Sequence, residues 1–330
     1  MKEELINVPK VELHLHLDGS VSLDLLEKWS GLSHDEVIRL ATSNNDNSLK
    51  EYLEHFNFIN KYLQTKENLE LASYTLGSDL EKENVIYAEV RFAPLLHTNL
   101  GLTPEEVIDS IIKGFSKCNI KINLILCMIR GMDLSYNEKI VSLAKKYLGH
   151  GVVAVDLAGD EAAFPFKEYE ELFKSCKESN IPITIHAGEV LKRDIKDIIP
   201  YTKRIGHGIK IYDDNELVNL VKENNMLLEV CPKSNLDTDN AVDYLHHPIK
   251  YLYDNAVKVS VNTDNRTVSN ITLTDEYISL VNILGFNIND LYQMNLNAID
   301  YAFISQEEKD KLKNILLEKK ETHWDSFNIF

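Results

Sequence analysis

The stretch Val11-Glu12-Leu13-His14-Leu15-His16 is an apolar, β-branched run that ends on two histidines. Such a run between turn residues is typical of a buried strand. Seven further runs of this kind follow along the chain. Together they predict eight strands, at residues 11–16, 85–92, 122–129, 152–157, 183–187, 204–207, 226–231 and 258–264.

Helical signals lie between the predicted strands. Thr103-Pro104-Glu105-Glu106 combines an N-cap, a proline at the first helical position and a capping-box glutamate, and Ser305 with Glu308 repeats the box. Parallel strands need crossover helices of this kind. We therefore expect an α/β fold, a (β/α)8 TIM barrel formed by residues 1–330 as a single domain, with a lid-like helical insertion at about 30–81 and two or three extra helices over 274–327.

A doubly wound open sheet uses the same alternation of strands and helices and is the alternative fold. Two observations favour the barrel. Eight strands are the number that a TIM barrel requires. The first predicted strand is also not followed by the glycine pattern Gly-x-Gly-x-x-Gly that marks a dinucleotide-binding fold.

The composition limits the classes of partner. The chain has 330 residues, of which 44% are hydrophobic and 26% charged, and its formal net charge is −17. It can bury a large core, and its negative field repels polyanions. We expect a small-molecule substrate and neither nucleic acid nor a membrane as a partner, while protein partners are left undetermined.

Cysteine usage and the N-terminus indicate the compartment. The cysteines Cys118, Cys127, Cys176 and Cys231 show no short paired spacing, so a disulfide framework is not expected. The first residues lack the apolar stretch of a signal peptide, and no run of 18 or more apolar residues follows. We expect a soluble cytoplasmic protein.

Polar groups capable of chemistry lie where predicted strands end. His14 and His16 share one face of their strand because side chains alternate with a period of two. His186 ends the fifth strand and Asp264 the eighth. Taken singly, these residues can be core histidines or a helix N-cap. The ends of parallel barrel strands meet on one rim, however, so together they predict a site for a borderline divalent ion such as zinc.

Two further residues complete the predicted site. Glu189 follows His186 by three positions and lies beyond the strand, where its carboxyl can act as a general acid without binding the ion. His207 lies between Gly206 and Gly208, which allow a sharp turn and a close approach of substrate. Its imidazole can accept a proton from the attacking water or orient it. The alternatives are a solvated loop acid and a turn histidine.

Two absences narrow the metal chemistry. The fourth predicted strand ends Ala154-Val155-Asp156-Leu157-Ala158-Gly159 and contains no lysine to bridge two ions, so one ion per chain is expected. Cys231-Pro232-Lys233-Ser234 carries one thiol only, whereas the cytidine-type zinc deaminases use Pro-Cys-x-x-Cys.

These segments together resemble the adenosine deaminase family of the amidohydrolase superfamily, the metallo-dependent hydrolases. The matching motifs appear in the family's order and span nearly the whole chain. They are residues 11–19, Asp156-Leu157-Ala158-Gly159-Asp160-Glu161, His186-Ala187-Gly188-Glu189, Arg204-Ile205-Gly206-His207-Gly208, Cys231-Pro232-Lys233-Ser234-Asn235 and Asn262-Thr263-Asp264.

The resemblance implies one Zn²⁺ held by His14, His16, His186 and Asp264. It further implies that Glu189 protonates the purine ring nitrogen N1 and that His207 lies beside the attacking water. By the same resemblance His16 and Asp18 contact the ribose, and the Gly159 backbone lies against the purine. The implied reaction is hydrolytic deamination of adenosine, and of 2'-deoxyadenosine, to inosine or 2'-deoxyinosine and ammonia in purine salvage.

One position departs from the family pattern. Asn265 follows the metal aspartate where many members have a second aspartate facing purine N7. N7 accepts hydrogen bonds, and an asparagine NH2 group can donate without an elevated pKa, so Asn265 is kept as a substrate-binding residue. The following Arg266 is expected to meet either solvent or a lid carboxylate.

The remaining histidines receive structural interpretations. His246-His247-Pro248 is interpreted as the entry to a helix and not as a second metal site. Surface positions are expected for the others, which are His34, His55, His97, His150 and His323.

Other functions remain open at this stage. A related enzyme acting on adenine or on an N6-substituted adenine nucleotide is one alternative, although the Asp18 carboxylate would repel a phosphate. A catalytically silent barrel that serves in binding or signalling is another. Such a protein is expected to have lost a ligand or Glu189, and all of these residues are present.

Overall fold

Within residues 2–43 and 49–327, which the computed structural model describes, eight strands occupy the positions of the apolar runs. They pair in parallel throughout, so the predicted α/β class is confirmed. The strands are β1 (Lys10–His16), β2 (Val85–Phe92), β3 (Lys121–Ile129), β4 (Val152–Ala158), β5 (Ile185–Ala187), β6 (Arg204–His207), β7 (Leu227–Val230) and β8 (Lys258–Val261).

The strands form two four-stranded halves, β1-β2-β3-β4 and β5-β6-β7-β8, and two seams join them into the predicted (β/α)8 barrel. At the first seam, Val155 of β4 donates to the carbonyl of Pro182 and accepts from the amide of Thr184, both at 3.0 Å. At the second, the Asp264 amide donates to the His14 carbonyl at 3.0 Å, and the His16 amide donates to the Asp264 carbonyl at 2.7 Å. Backbone hydrogen bonds at the second seam therefore bring three predicted metal-binding residues, His14, His16 and Asp264, close together.

The strand limits differ from the predicted ones by a few residues. β8 ends at Val261 and not at residue 264, because Asp264 adopts a left-handed backbone with φ of 60°. β5 begins at Ile185, two residues later than predicted, since Thr184 bonds across the seam to β4. In both cases a contact with another strand, and not the local apolar pattern, determines the boundary.

Helices cover the outside of the barrel. The described part of the predicted insertion contains α3 to α5, and three helices follow β8, as predicted. Residues 44–48 of the insertion lie outside the described residues. The helices are α1 (Lys2–Asn7), α2 (Leu23–Ser30), α3 (His34–Ala41), α4 (Leu49–Asn60), α5 (Lys66–Lys82), α6 (Pro104–Phe115), α7 (Leu134–Tyr147), α8 (Glu170–Glu178), α9 (Ile195–Ile198), α10 (Asn215–Glu223), α11 (Pro232–Asp237), α12 (Ile249–Asp254), α13 (Leu273–Leu284), α14 (Ile288–Tyr301) and α15 (Gln306–Phe327).

The predicted helix starts are confirmed by their caps. The Thr103 hydroxyl accepts from the Glu106 amide at 3.2 Å, and the Glu106 carboxylate accepts from the Thr103 amide at 3.0 Å. Ser305 and Glu308 make the same reciprocal pair before α15. The caps satisfy amide groups that the first helical turn leaves without partners.

A buried layer of paired charges crosses the barrel beneath its open end. Arg91 donates to Asp156 at 2.8 Å and to Glu229 at 2.7 Å. Arg204 donates to the other oxygen of Glu229 at 2.6 Å and to Glu89 at 2.5 Å. Buried charges are tolerated when they are paired and fully hydrogen-bonded, so this layer forms an ionic floor under the rim. The ionic floor consists of Arg91, Arg204, Asp156, Glu229 and Glu89.

Two further observations concern the chain's surroundings. The cysteines Cys118, Cys127, Cys176 and Cys231 are free thiols, as the spacing predicts. None of the helices in residues 2–43 and 49–327 has the length and apolar character that a bilayer span requires.

Candidate active site

The four predicted ligand groups converge at the carboxyl ends of β1, β5 and β8. Their ligand atoms all lie within 4.8 Å of one another. The Nε2 atoms of His16 and His186 are 3.3 Å apart, and Asp264 Oδ1 lies 3.4 Å from Nε2 of both His14 and His16. Among the described residues, His14 Nε2 has no hydrogen-bond partner although it is buried. Such a nitrogen, facing two imidazoles and a carboxylate, fits a divalent metal ion.

Carboxylates behind the rings determine which nitrogen faces the cluster. His14 Nδ1 lies 2.9 Å from Glu229 Oε2, and His186 Nδ1 lies 2.8 Å from Asp156 Oδ2. Since carboxylates only accept, His14 Nδ1 carries the proton and His14 Nε2 presents a lone pair. This is the arrangement in which acidic side chains orient histidine ligands and raise their basicity.

The charge state of these carboxylates follows from the ionic floor. Burial alone would raise the pKa of Glu229, but Arg204 and Arg91 hold that pKa well below its usual value. Asp264 is likewise buried, and hydrogen bonding and charge from His14 hold its pKa well below the usual value. Ser234 donates to Asp264 Oδ2 at 2.6 Å, which leaves Oδ1 directed at the histidines.

A second set of potential ligands shares two members with the first. His14, His207, Cys231 and Asp264 also have ligand atoms within 4.8 Å of one another. Cys231 is completely buried and its Sγ donates to the Glu229 carbonyl at 3.6 Å, whereas the first set offers three imidazoles and a carboxylate. The first set is therefore the better metal site.

Glu189 lies beside the cluster in a neutral environment. Its Oε1 accepts from the Thr238 hydroxyl at 3.2 Å and from the Asn240 amide at 3.4 Å. Burial, with further contributions from the charges of Asp264 and Glu161, raises its pKa to about 8. The carboxyl is therefore protonated at neutral pH, as a general acid must be.

His207 faces both carboxylates of the site. Its Nε2 lies 3.5 Å from Glu189 Oε2 and 3.8 Å from Asp264 Oδ2. The residue has φ of 64°, an unusual value for a side chain with a Cβ, and such strain is found at functional sites. A Cβ at the preceding Gly206 would lie 2.9 Å from His14 Cε1, so only glycine permits this close packing.

The predicted substrate-binding residues lie around the same rim. Asp18 Oδ1 is 3.9 Å from His16 Nδ1 and is buried, which raises the Asp18 pKa to about 7. Gly159 follows β4 with φ of 103° and is exposed. The Asn265 amide follows Asp264 and donates to the Tyr52 hydroxyl at 3.0 Å, while its Oδ1 has no partner among the described residues.

The family model for adenosine deaminase matches residues 9–319 of this chain. The chain belongs to the adenosine deaminase family. An adenosine deaminase from Clostridium perfringens strain 13 is 44% identical over 326 residues, which cover 94% of this chain and 98% of the relative. The chain is therefore an enzyme of the hydrolytic deaminase class.

Solved structures with lower identity share the fold. An amidohydrolase from Burkholderia ambifaria with bound Zn is 21% identical with a TM-score of 0.89, covering 100% of this chain and 95% of that one. An N6-methyl-AMP deaminase from Arabidopsis thaliana is 24% identical with a TM-score of 0.86, covering 96% of this chain and 98% of that one. These likenesses establish the barrel fold and do not establish the chemistry of the site.

Several residues of this deaminase site were not assigned roles from the sequence. Asp156 and Glu229 hold two of the histidines, although each lies within an apolar strand. An acidic residue inside a predicted core strand is a detectable signal, because a buried carboxylate requires a specific partner. Thr238 and Asn240 contact Glu189, but their loop positions give no comparable signal.

Of the surface positions expected for the other histidines, those of His34 and His150 are confirmed and that of His97 is wrong. This residue was expected at the surface but is completely buried in the segment Pro94–His97, where burial lowers its pKa to about 4. The packing of the segment against the end of β2 explains the difference, since His97 lies against Phe92. His34 and His150 are exposed and His55 is half-buried, whereas the His323 side chain lies outside the described residues.

Two further expectations can be compared with the structure. Pro248 precedes α12, so the helix-entry interpretation of His246-His247-Pro248 is confirmed. Arg266 meets a carboxylate, because it forms a partly buried ion pair with Glu83 directly after α5.

Proposed function

We propose that this protein is a zinc-dependent adenosine deaminase that hydrolyses adenosine, and 2'-deoxyadenosine, to the corresponding inosine and ammonia. The observation that carries the proposal is the convergence of three histidine Nε2 atoms and Asp264 Oδ1 beside a partly buried, protonated Glu189. The relatives named adenosine deaminase support the choice of substrate.

His14, His16, His186 and Asp264 would hold one zinc ion per chain. Three imidazoles and a carboxylate suit this borderline ion better than they suit Mg²⁺ or Ca²⁺, which prefer oxygen ligands. A zinc ion bound by these residues would lower the pKa of water from about 16 to about 7 and would so supply a nucleophile near neutral pH. The Zn-containing amidohydrolase of the same fold is consistent with this assignment.

Glu189 supplies the proton that the purine ring needs. Attack of water at C6 breaks the aromaticity of the base, and negative charge develops at N1. The protonated Glu189 carboxyl donates to N1 as this charge forms, and positioned acid catalysis contributes roughly 10²- to 10⁴-fold in rate. The two protons of the attacking water balance the step: one restores the Glu189 carboxyl, and the other passes from the new C6 hydroxyl to the amino nitrogen. The bond from C6 to that nitrogen then breaks, ammonia leaves, and C6 becomes a carbonyl. His207, whose Nε2 lies 3.5 Å from Glu189 Oε2, contacts the attacking water.

The rim residues provide the recognition of a nucleoside. We assign His16 and Asp18 to the ribose and the Gly159 backbone and Asn265 to the base. In the described part of the chain, Asp18 forms no ion pair with lysine or arginine. A 5'-phosphate near Asp18 would therefore meet a carboxylate without a compensating cation, which favours nucleosides over nucleotides. The completeness of the site likewise disfavours a silent barrel used for binding.

We propose in addition that residues 1–330 act as one domain, with the helices within about 30–81 forming a lid over the rim. A role in purine salvage in the cytoplasm is consistent with a nucleoside substrate and with free cysteines.

The test is an ultraviolet absorbance assay with metal analysis of the same sample. Purified protein is offered adenosine, 2'-deoxyadenosine, adenine, AMP and N6-methyl-AMP. We expect about one zinc per chain and turnover of the two nucleosides. A protein that lacks metal and turns over none of them would overturn the proposal, and preferential turnover of a nucleotide or of adenine would reassign the substrate.

A further inference from the structure

We infer that Asn235 and His247 are positioning residues that fix the tautomer of His207, with the single imidazole proton on Nε2. The inference concerns the site of the proposed deaminase, so its catalytic consequence rests on that function. The tautomer itself follows from three hydrogen bonds that can be ordered without any choice of protonation state.

The first hydrogen bond begins at a backbone amide. The Ile249 amide lies 3.1 Å from His247 Nδ1. A backbone N–H is always a donor, so Nδ1 of His247 must present a lone pair. The proton of this imidazole is therefore on Nε2. His247 itself is buried, with 3% of its surface exposed.

The second hydrogen bond orients the Asn235 amide. His247 Nε2 lies 3.3 Å from Asn235 Oδ1. The reverse orientation of the amide would place two N–H donors against each other in a buried site, which is unfavourable. The carbonyl oxygen of Asn235 therefore faces His247, and its NH2 group faces the opposite way.

The third hydrogen bond determines the tautomer of His207. Asn235 Nδ2 lies 3.0 Å from His207 Nδ1. Because the amide NH2 only donates, Nδ1 of His207 presents a lone pair and its proton is on Nε2. That N–H is directed at the gap between Glu189 Oε2 and Asp264 Oδ2, at 3.5 and 3.8 Å.

This tautomer determines what His207 can do for the attacking water. An imidazole with the proton on Nε2 donates a hydrogen bond from that atom and has no lone pair there. It therefore orients the attacking oxygen and stabilises negative charge on it, but it does not take its proton. Of the two roles that the sequence leaves open for His207, the hydrogen-bond chain selects orientation.

The sharpest test replaces the donor by an acceptor of the same shape. In Asn235→Asp, both carboxylate oxygens accept hydrogen bonds. We therefore expect His207 to adopt the other tautomer, with its proton on Nδ1 and a lone pair on Nε2. A wrong histidine tautomer in an otherwise intact site lowers kcat by about 10⁴-fold in the serine protease case. We expect kcat of Asn235→Asp to fall by at least about 10²-fold, with the KM for adenosine and the zinc content close to wild type.

A matched control lies next to His247 in the chain. His246 is exposed and bonds to Asp243, away from the chain of hydrogen bonds. We expect His246→Gln to keep wild-type kcat. His247→Leu removes the group that orients the Asn235 amide, so we expect an intermediate loss of kcat, because the amide can then adopt both orientations.

A spectroscopic measurement separates positioning from general damage. In protein labelled with ¹⁵N-histidine, the His207 signals are identified by their absence in His207→Asn. We expect wild-type His207 to show a proton-bearing Nε2 and a lone pair on Nδ1, and Asn235→Asp to show the reverse. The wild-type spectrum, assigned with His207→Asn, decides the tautomer even if Asn235→Asp does not fold.

Two results would overturn the inference. One is a wild-type His207 with its proton on Nδ1, and the other is an Asn235→Asp enzyme with wild-type kcat. Failure of the proposed function is distinguishable, because it shows as a wild-type protein that does not deaminate adenosine whatever the tautomer of His207.

Discussion

Glu229 is fully buried and Glu189 is partly buried in the same site, and their pKa values move in opposite directions. Glu229 lies in the ionic floor between Arg204 and Arg91, and these cations hold its pKa well below the usual value against the effect of burial. Glu189 lies on the wall of the site with the neutral donors Thr238 and Asn240, and burial raises its pKa to about 8. Burial raises the pKa of both carboxyls, so the cationic partners of Glu229 account for the difference in charge.

The two regions accordingly have different tasks. The floor supplies fixed negative charge that directs His14 and His186 towards a cation. The wall, formed by Glu189 and His207, supplies a proton from the Glu189 carboxyl and a hydrogen bond from the Nε2–H group inferred for His207. Substitutions that remove the acidic proton from Glu189 or the negative charge from the ionic floor are the most direct way to test this division.

The largest expected effect is the fall in kcat when the acidic carboxyl of Glu189 is removed. Glu189→Gln keeps the hydrogen-bonding shape but has no acidic proton, so we expect kcat to fall about 10²- to 10⁴-fold with zinc content unchanged. Steady-state kinetics and metal analysis check this. Glu276→Gln is the matched control, because Glu276 is also buried with a pKa raised to about 8, yet it contacts Lys233 and Tyr244. A Glu189→Gln enzyme with full rate would remove the acid role.

The next largest effect concerns zinc affinity and stability when the ionic floor loses the charge of Glu229. Glu229→Gln removes the negative charge behind His14, and we expect zinc affinity to fall about 10- to 100-fold. It also leaves the buried arginines short of a partner, which costs about 3–5 kcal/mol of unfolding free energy. Competition with a chelator measures the affinity, and denaturant unfolding measures the stability.

A control in the same floor separates these two losses. Glu89 pairs with Arg204 but, among the described residues, accepts from no histidine. We expect Glu89→Gln to lower stability without weakening zinc binding. Equal zinc affinities in Glu229→Gln and Glu89→Gln would show that the contact with His14 is not needed for metal binding.

A smaller effect follows from pH. The protonated form of Glu189 is the active one, so it is fully present below its pKa of about 8 and is lost as the pH rises through that value. We expect kcat/KM to be level below about pH 7, to be halved near pH 8 and to be about tenfold below the plateau near pH 9. The same descending limb should persist in Glu276→Gln. A profile that stays flat or rises above pH 8 would contradict the assignment.

The smallest effect concerns the contact between the inserted helices and the rim. Tyr52→Phe removes the hydroxyl that accepts from the Asn265 amide at 3.0 Å, a loss of about 1 kcal/mol or roughly fivefold. We expect this in the KM for adenosine, with kcat little changed. Ser269→Ala removes the other partner of the Tyr52 hydroxyl and is expected to have a smaller effect. Equal KM values for wild type and Tyr52→Phe would exclude a positioning role for Tyr52.

The fold could be predicted from the sequence because each strand carries its own pattern. Apolar runs in water must find a buried surface, and the capping boxes before α6 and α15 mark helix starts with purely local chemistry. The burial of His97 could not be predicted, because it depends on packing against a neighbouring strand end and not on local sequence. Similarly, the end of β8 depends on the backbone bonds between Asp264 and β1.

The sequence by itself determined the chemical identities of the site: imidazoles and carboxyls placed where strands end, and hence a common rim. Only the tertiary structure decided the charge and proton positions of those groups. His14 meets Glu229 across 215 positions of sequence, and His207 meets Asn235 across 28. A pKa or a tautomer depends on distances of a few ångströms in space, and residues so far apart in the chain reach those distances only when the barrel closes.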